Sequence, residues 1–201
     1  SILGRKTAYG EIDDVSNEAR DKQLAWQRKS VADMKAEFDR ALLTPEAQTS
    51  YDIWAYQLEQ SESSEAFRTN EYIFHQMHGD HAFLPQVLIS FHPVDEVSDM
   101  EAYISRIREG GRAIEQLITR SKENAQKGVR PPHFAFGYVI DEAAKLSSGT
   151  PFDESGNDNA IWADAKRKIE ALLENGKIDM GLAQNLGQGV REALLSAWKP
   201  A

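Results

Sequence analysis

Residues 97–118 read VSDMEAYISRIREGGRAIEQLI, and this stretch carries the clearest signal for the fold. Ser98 and Glu101 have the spacing of a capping box, so we predict that a helix begins here. Its apolar residues recur at the spacing of one helical face: Tyr103, Ile104, Ile107, Ile114, Leu117 and Ile118. Gly110 and Gly111 interrupt the pattern and are expected to bend or end the helix.

Upstream, two amphipathic helices are predicted. Ser16 is the expected N-cap of the first helix, whose apolar stripe is Leu24, Val31, Met34, Phe38 and Leu42. Thr44 and Pro45 suit the N-cap and the first position of the second helix, whose stripe is Ala47, Tyr51, Trp54 and Leu58. Because the connection is short, the two helices should form an antiparallel hairpin over about residues 16–68.

Downstream, residues 70–201 are predicted to form a helical body. Residues 84–91 could be a strand or a short buried helix, and the helical surroundings favour a helix. Arg130-Pro131-Pro132 breaks the chain before a dense apolar helix that ends near Ser147, and a loop over residues 150–159 precedes two last helices. The aromatic residues at helical spacing are interpreted as core: Trp26, Tyr51, Trp54, Phe134, Phe136, Trp162 and Trp198. We therefore predict an all-α array of antiparallel amphipathic helices in one helical region, residues 1–201.

Composition limits the function classes. The 201 residues carry a net charge of −9, which disfavours binding to a nucleic-acid backbone. The densest basic group, Arg106, Arg108 and Arg112, alternates with glutamates and is interpreted as a solvated helix face. The chain has no cysteine, which excludes disulfides and thiolate chemistry in these residues. No apolar run reaches the ~18 residues that a transmembrane helix needs.

The candidate metal ligands are His75, His78 and His81, in the sequence HQMHGDH. On a helix the three rings would share one face, but the outer two would stand about 9 Å apart along the axis at 1.5 Å per residue. The chain lacks His-Glu-x-x-His, the pattern in which a glutamate acts as general base beside zinc. The three histidines are therefore weak metal candidates, and we assign no catalytic and no cofactor-binding residue.

The remaining motifs predict no chemistry. His92 and His133 each adjoin a proline and are interpreted as structural, exposed or bonded to the backbone. The glycine-containing stretches at residues 147–150 and 187–189 lack the Gly-Lys-Ser/Thr of a phosphate loop. There is also no Gly-x-Ser-x-Gly nucleophile elbow.

The order of several short motifs resembles the N-terminal half of the bacterial domain-of-unknown-function family 885. The motifs are residues 13–19 (DDVSNEA), 44–46 (TPE), 76–79 (QMHG), 91–94 (FHPV), 102–107 (AYISRI), 128–132 (GVRPP) and 150–152 (TPF). Members of this family are often described as lipoproteins or as zincin-type peptidases. The resemblance thus implies a helical scaffold similar to that of angiotensin-converting enzyme.

The resemblance also implies where chemistry would reside. In such families the zinc histidines and the general base lie in the C-terminal half, and no residue of this chain matches that motif. The chain begins at Ser1 without a methionine, so we expect a non-catalytic fragment that forms one wall of a peptide-substrate cleft, with a C-terminal catalytic half as partner and zinc in the full-length protein. The compartment stays open, and a periplasmic or lipid-anchored location follows from the resemblance alone. The alternatives are a stand-alone helical interaction module and a metal-binding protein that uses the three histidines.

Overall fold

The computed structural model describes residues 6–77 and 79–201, apart from the side chains of Asp80 and His81. Within these ranges the helices are α1 (Asn17–Glu37), α2 (Pro45–Glu65), α3 (Asp80–Phe91), α4 (Val97–Gln126), α5 (His133–Leu146), α6 (Ala160–Glu174) and α7 (Met180–Ala193). A short 3₁₀ turn joins α1 to α2, and a turn of π-helix, Leu194–Trp198, follows α7. No β-strand occurs in the described part of the chain, which confirms the predicted all-α fold.

The core is built around α4. Its inner face packs against α6, α7 and the π-helical turn, and Met100, Tyr103 and Ile107 are fully buried there. From the other elements the core takes Leu88, Ile161, Ala165, Leu172, Leu186, Val190, Ala193, Leu194 and Trp198. The predicted stripe on α4 and the apolar residues of α6 and α7 thus supply the interior, although Met180 at the start of α7 is exposed.

Two predicted helix starts are confirmed and one is wrong. Ser16 Oγ accepts the N–H of Ala19 at 3.1 Å, and Thr44 caps α2 with Pro45 in the first position. The capping box of Ser98 and Glu101 does not form, because α4 begins two residues earlier than that box requires, with Glu96 as N-cap and Val97 as its first residue. There the Asp99 carboxylate accepts the backbone N–H groups of Asp95 (2.9 Å) and Glu96 (3.1 Å).

Gly110 and Gly111 lie in the middle of α4 and do not end it. A Cβ atom on Gly110 would stand 2.7 Å from Cζ3 of Trp198, and one on Gly111 would overlap the carbonyl of Ala197. The two glycines therefore let the π-helical turn lie directly against the backbone of α4. Their role is close packing, and the expected helix end was wrong.

Helices α1 and α2 form the predicted antiparallel hairpin. Trp26 and Trp54 meet edge to face, with ring centroids 5.7 Å apart, and Trp54 Nε1 donates to Ser30 Oγ at 3.2 Å. Little of the hairpin is buried, since only Leu24 and Val31 of α1 are buried and no residue of α2 is. The predicted stripe of α1 is too long at its C-terminal end, because the helix stops at Glu37 and leaves Phe38 and Leu42 exposed.

Residues 6–15, called here the N-terminal strap, run along α4. Arg106 donates to the carbonyl of Glu11 at 3.2 Å, Arg112 to that of Ile12 at 2.7 Å, and Arg120 to that of Val15 at 2.8 Å. For Arg106 and Arg112 the predicted solvated face is therefore wrong, because both guanidinium groups hold backbone carbonyls that α4 alone does not supply. Arg108, in contrast, is exposed.

Candidate functional site

Two of the three histidines predicted as weak metal ligands lie outside the residues and side chains that the structure describes. His78 and the side chain of His81 are not described, and His75 Nδ1 accepts the N–H of Met77 at 3.3 Å. Among the described residues, no three His, Asp or Glu side chains are grouped so that they could hold a metal ion. A metal bound by His75, His78 and His81 stays a prediction.

His92 and His133, the two histidines beside prolines, have the surroundings that the sequence predicted: one is bonded to the backbone and the other is exposed. His92 is buried, and its Nε2 lies 2.9 Å from the carbonyl oxygen of Asp99. Its Nδ1 lies 3.1 Å from Nη1 of Arg106. His133 is the first residue of α5 and is exposed.

A buried ionic cluster joins α4 to α6. Asp164 Oδ2 accepts the hydroxyl of Tyr103 at 2.9 Å and pairs with Lys168 Nζ at 2.6 Å. Lys168 Nζ also donates to the carbonyl of Leu88 at 2.9 Å and lies 4.6 Å from the ring centroid of Tyr103. Each charge in the cluster thus has a close partner, as buried charges require.

The same cluster shifts the pKa values of Lys168 and Tyr103. Burial lowers the pKa of Lys168, and the hydrogen bond that its ammonium donates to Asp164 offsets part of that effect. Burial and the charge of Asp164 raise the pKa of Tyr103 far above its usual range. A perturbed lysine can mark a reactive site. Lys168 is buried and does not line the cavity described below, so the cluster fits a structural role.

Helix α5 is rich in apolar residues, and most of them are exposed. Its only buried residue is Ala135. Phe134 (60% exposed), Tyr138 (61%) and Ile140 (66%) lie largely in solvent, and Phe136 is 46% exposed. At ~100° per residue, Phe134 with Tyr138 and Phe136 with Ile140 lie on opposite flanks of the helix. We use the name α5 face for these four exposed side chains together, on both flanks of the helix.

The prediction that Phe134, Phe136 and Trp26 belong to the core was wrong, because all three side chains are exposed.

A cavity of about 290 Å³ lies beneath α5, on the side of the helix that faces α4 and the end of the chain. Its walls are mostly apolar: Phe74, Ile114, Ile118, Val139, Ala143, Leu146, Ser147, Trp198, Lys199 and Ala201. The ammonium of Lys199 donates to the carbonyl of Phe152 at 3.0 Å, at the edge of this apolar space. The cavity and the α5 face both belong to the same helix, and we take the two together as the candidate site for apolar contact.

Part of this site could be predicted from sequence. The dense apolar pattern after Pro132 predicted α5 and its end near Ser147 correctly. Nothing in the pattern indicated that the helix would lie on the surface. The apolar residues of α5 are spread around the helix instead of along one stripe, which by itself favours a buried helix.

Fold and site together define an all-helical scaffold that presents an apolar surface helix. No helix in the described ranges combines the length and apolar character needed to cross a bilayer. The model of the family described as "Bacterial protein of unknown function (DUF885)" matches residues 1–201, so the chain belongs to this family. No curated protein and no solved structure was found to match the chain.

Proposed function

We propose that this chain is the non-catalytic N-terminal helical region of a zinc metallopeptidase-like hydrolase, and that it forms one wall of a peptide-binding cleft. The observation that carries the proposal is the exposed α5 face. A helix that is apolar on most sides belongs to the interior of a larger assembly, because surface helices keep one polar face.

The energetic case rests on burial. Full burial of a large apolar side chain stabilises by about 1.5–3 kcal/mol, and the α5 face has four such side chains that are roughly half exposed or more. Covering them therefore offers several kcal/mol to a packing partner. The cavity beneath α5 could receive apolar side chains from the same partner. The occupant that we propose is the zinc-bearing catalytic region of the same family of hydrolases.

Zinc has no fitting donor set among the described residues. Catalytic zinc takes three protein ligands, commonly histidine or glutamate, and no such group is assembled in the described part of the chain. The ligands would come from the catalytic region, so no catalytic step is drawn through residues of this chain. Its contribution would be to position substrate and to exclude water along one side of the cleft.

Co-expression tests this proposal. The chain would be produced with the polypeptide encoded after Ala201, and the complex would be isolated and analysed for zinc. We expect a stoichiometric complex whose second component carries a His-Glu zinc motif and about one equivalent of zinc. A downstream polypeptide without such a motif would remove the peptidase assignment.

Substitutions on α5 identify the contact surface. Phe136→Glu with Ile140→Glu should abolish the complex, because charges on the α5 face would be buried without partners. Phe67→Glu is the matched control, since Phe67 is 65% exposed but follows α2. Loss of the complex in the control, or normal assembly of the α5 variant, would contradict the proposed surface.

A stand-alone helical interaction module is the second candidate. The same exposed α5 face favours it, because an unrelated protein could also cover four apolar side chains. The two functions differ in the identity of the partner. Failure of the downstream polypeptide to bind, together with α5-dependent binding of another protein, would favour the module.

A further inference from the structure

His92 lies where the N-terminal strap meets α4. The ring of Tyr9 stacks on the imidazole, with centroids 4.2 Å apart and planes 20° from parallel. The Tyr9 hydroxyl donates to the carbonyl of Pro93 at 2.7 Å. His92 is 1% exposed and Tyr9 is 8% exposed, so the strap covers the imidazole.

The hydrogen bonds of His92 fix its protonation state. The guanidinium of Arg106 has only donors, so Nδ1 of His92 must accept from it. The carbonyl of Asp99 has only acceptors, so Nε2 must carry the hydrogen and donate. His92 is therefore a neutral imidazole with its proton on Nε2. A second proton would have to enter on Nδ1, directly against Arg106.

The charges around His92 come from each neighbouring element. Arg106 and the Asp99 carboxylate lie on α4, Lys168 lies on α6, and Lys6 of the strap pairs with Asp99 at 2.6 Å. Tyr103 meets the imidazole edge-on at 5.3 Å. Burial lowers the pKa of His92 to about 4, the charges of Arg106 and Lys168 act in the same direction, and the bond to Asp99 opposes them.

We propose that His92 is an acid-operated latch: protonation of its Nδ1 displaces Arg106 and Tyr9 and releases the N-terminal strap from α4. Arg106 links the two events, because the same side chain donates to His92 and, through Nε, to the carbonyl of Glu11 in the strap. Loss of one contact weakens the other. Release would uncover the strap-facing surface of α4 while the α4–α6–α7 core stays folded.

The direction and range follow from linkage. Once exposed, His92 regains a pKa near 6.5, so it binds protons more tightly in the released state. The closed strap is thus fully favoured above pH 6.5 and loses its advantage as the pH falls to about 4. The equilibrium for opening should rise by up to ~10-fold per pH unit in this window, about 300-fold in all. The nearby carboxylate of Asp99 has its pKa lowered: burial alone would raise it, but bonds from Lys6 and from two backbone N–H groups outweigh burial.

Hydrogen exchange of the strap amides as a function of pH measures how readily the strap opens. The amide of Val15 reports closure directly, because it donates to the side-chain oxygen of Gln116 on α4. Two further amides report the order of the strap itself, since Tyr9 N–H donates to the Lys6 carbonyl and Glu11 N–H to the Ala8 carbonyl. After correction for intrinsic rates, their exchange should accelerate steeply between pH 6.5 and 4, while α6 stays protected. Strap amides that keep constant protection, or that open only together with α6, would overturn the proposal.

His92→Gln is the control variant. Glutamine can accept from Arg106 and donate to the Asp99 carbonyl, but it cannot take up a proton. Strap protection in this variant should be independent of pH, and the same acid release as in the wild type would refute the latch. If the variant does not fold, the imidazole of the wild type is titrated by NMR instead. Titration of His92 in the same window as strap release supports the latch, and a ring that stays neutral while the strap opens refutes it.

Discussion

At the scale of single residues, the packing of α4 depends on two glycines, Gly110 and Gly111, that have no side chain. Gly110 and Gly111 allow the π-helical turn to reach the backbone of α4, so that Trp198 is buried against it. A Cβ at either position would fill space that this contact already occupies. A substitution that is harmless elsewhere on a helix should therefore be damaging here.

Gly111→Ala should lower the free energy of unfolding by about 1–3 kcal/mol, because the new methyl group overlaps the Ala197 carbonyl and forces the two segments apart. Gly187→Ala is the control, since a Cβ on Gly187 of α7 meets nothing within 4 Å. That change should stabilise by up to ~1 kcal/mol through helix propensity alone. Urea denaturation of both variants measures the difference. Equal effects would contradict the close approach at α4.

The buried ion pair gives a second residue-scale prediction. Asp164→Leu should destabilise by about 3–5 kcal/mol, because it leaves Lys168 buried without its carboxylate. Adding Lys168→Met removes the orphaned charge, so the double variant should regain much of the loss. Chemical denaturation of the two single variants and the double variant measures the coupling. Strict additivity would show that the two groups do not interact in the folded protein.

At the scale of elements, starts encoded by neighbouring residues could be predicted from sequence. Ser16 and Thr44 cap helices through contacts only three residues away, so α1 and α2 begin where expected. The start of α4 was misjudged between two local pairs that lie two residues apart: Ser98 with Glu101 was predicted, whereas Glu96 with Asp99 forms the capping box. Arg106 and Arg112 were misjudged because their partners are strap carbonyls 95 and 100 residues away in sequence, which no local pattern indicates.

Helix α5 shows where periodicity stops being informative. Its apolar residues predicted the helix correctly, but hydrophobicity states what a side chain prefers and not whether a neighbour covers it. Phe134 and Phe136 were assigned to the core on that ground, and both are exposed. The candidate surface could therefore be recognised only once α5 had been placed on the rest of the chain.

A matched pair of substitutions tests the exposure of α5. Ile140→Ala on α5 should change the unfolding free energy by less than ~0.5 kcal/mol, because Ile140 is 66% exposed. Ile161→Ala, the same chemical change at a residue of α6 that is 1% exposed, should destabilise by about 2–5 kcal/mol. Thermal and urea unfolding of both variants provide the comparison. A large loss at Ile140 would show that α5 packs against the body through that flank.

At the scale of the whole molecule, one histidine couples stability to pH. His92 has its pKa lowered to about 4 in the folded chain, against 6.5 when exposed. The unfolded chain therefore binds the extra proton more tightly. The contribution of neutral His92 to the stability of the folded chain is complete above pH 6.5 and is lost as the pH falls toward 4. The loss is at most about 3 kcal/mol, because an open strap lets the folded chain bind the same proton. Denaturation at pH 7, 5.5 and 4.5 should follow this course in the wild type and be flatter in His92→Gln. An identical decline in both would assign the effect to other groups.

The molecule as a whole combines a well-packed body with two thinly covered elements. The body of α4, α6 and α7 encloses most of the core, whereas the hairpin of α1 and α2 and the single helix α5 expose large apolar side chains. Family membership and the all-α architecture could both be predicted, because motif order and apolar periodicity are properties of the sequence alone. The candidate surface on α5 was not within reach, because its exposure depends on which parts of the chain pack against α5.

The most direct test of the proposed role is hydrogen exchange on the chain alone and on the chain bound to the polypeptide encoded after Ala201. We predict that binding slows exchange in α5, residues 133–146, and leaves the outer face of α2 unchanged. A stable complex in which α5 exchanges as fast as in the free chain would contradict the claim that this helix is the docking surface.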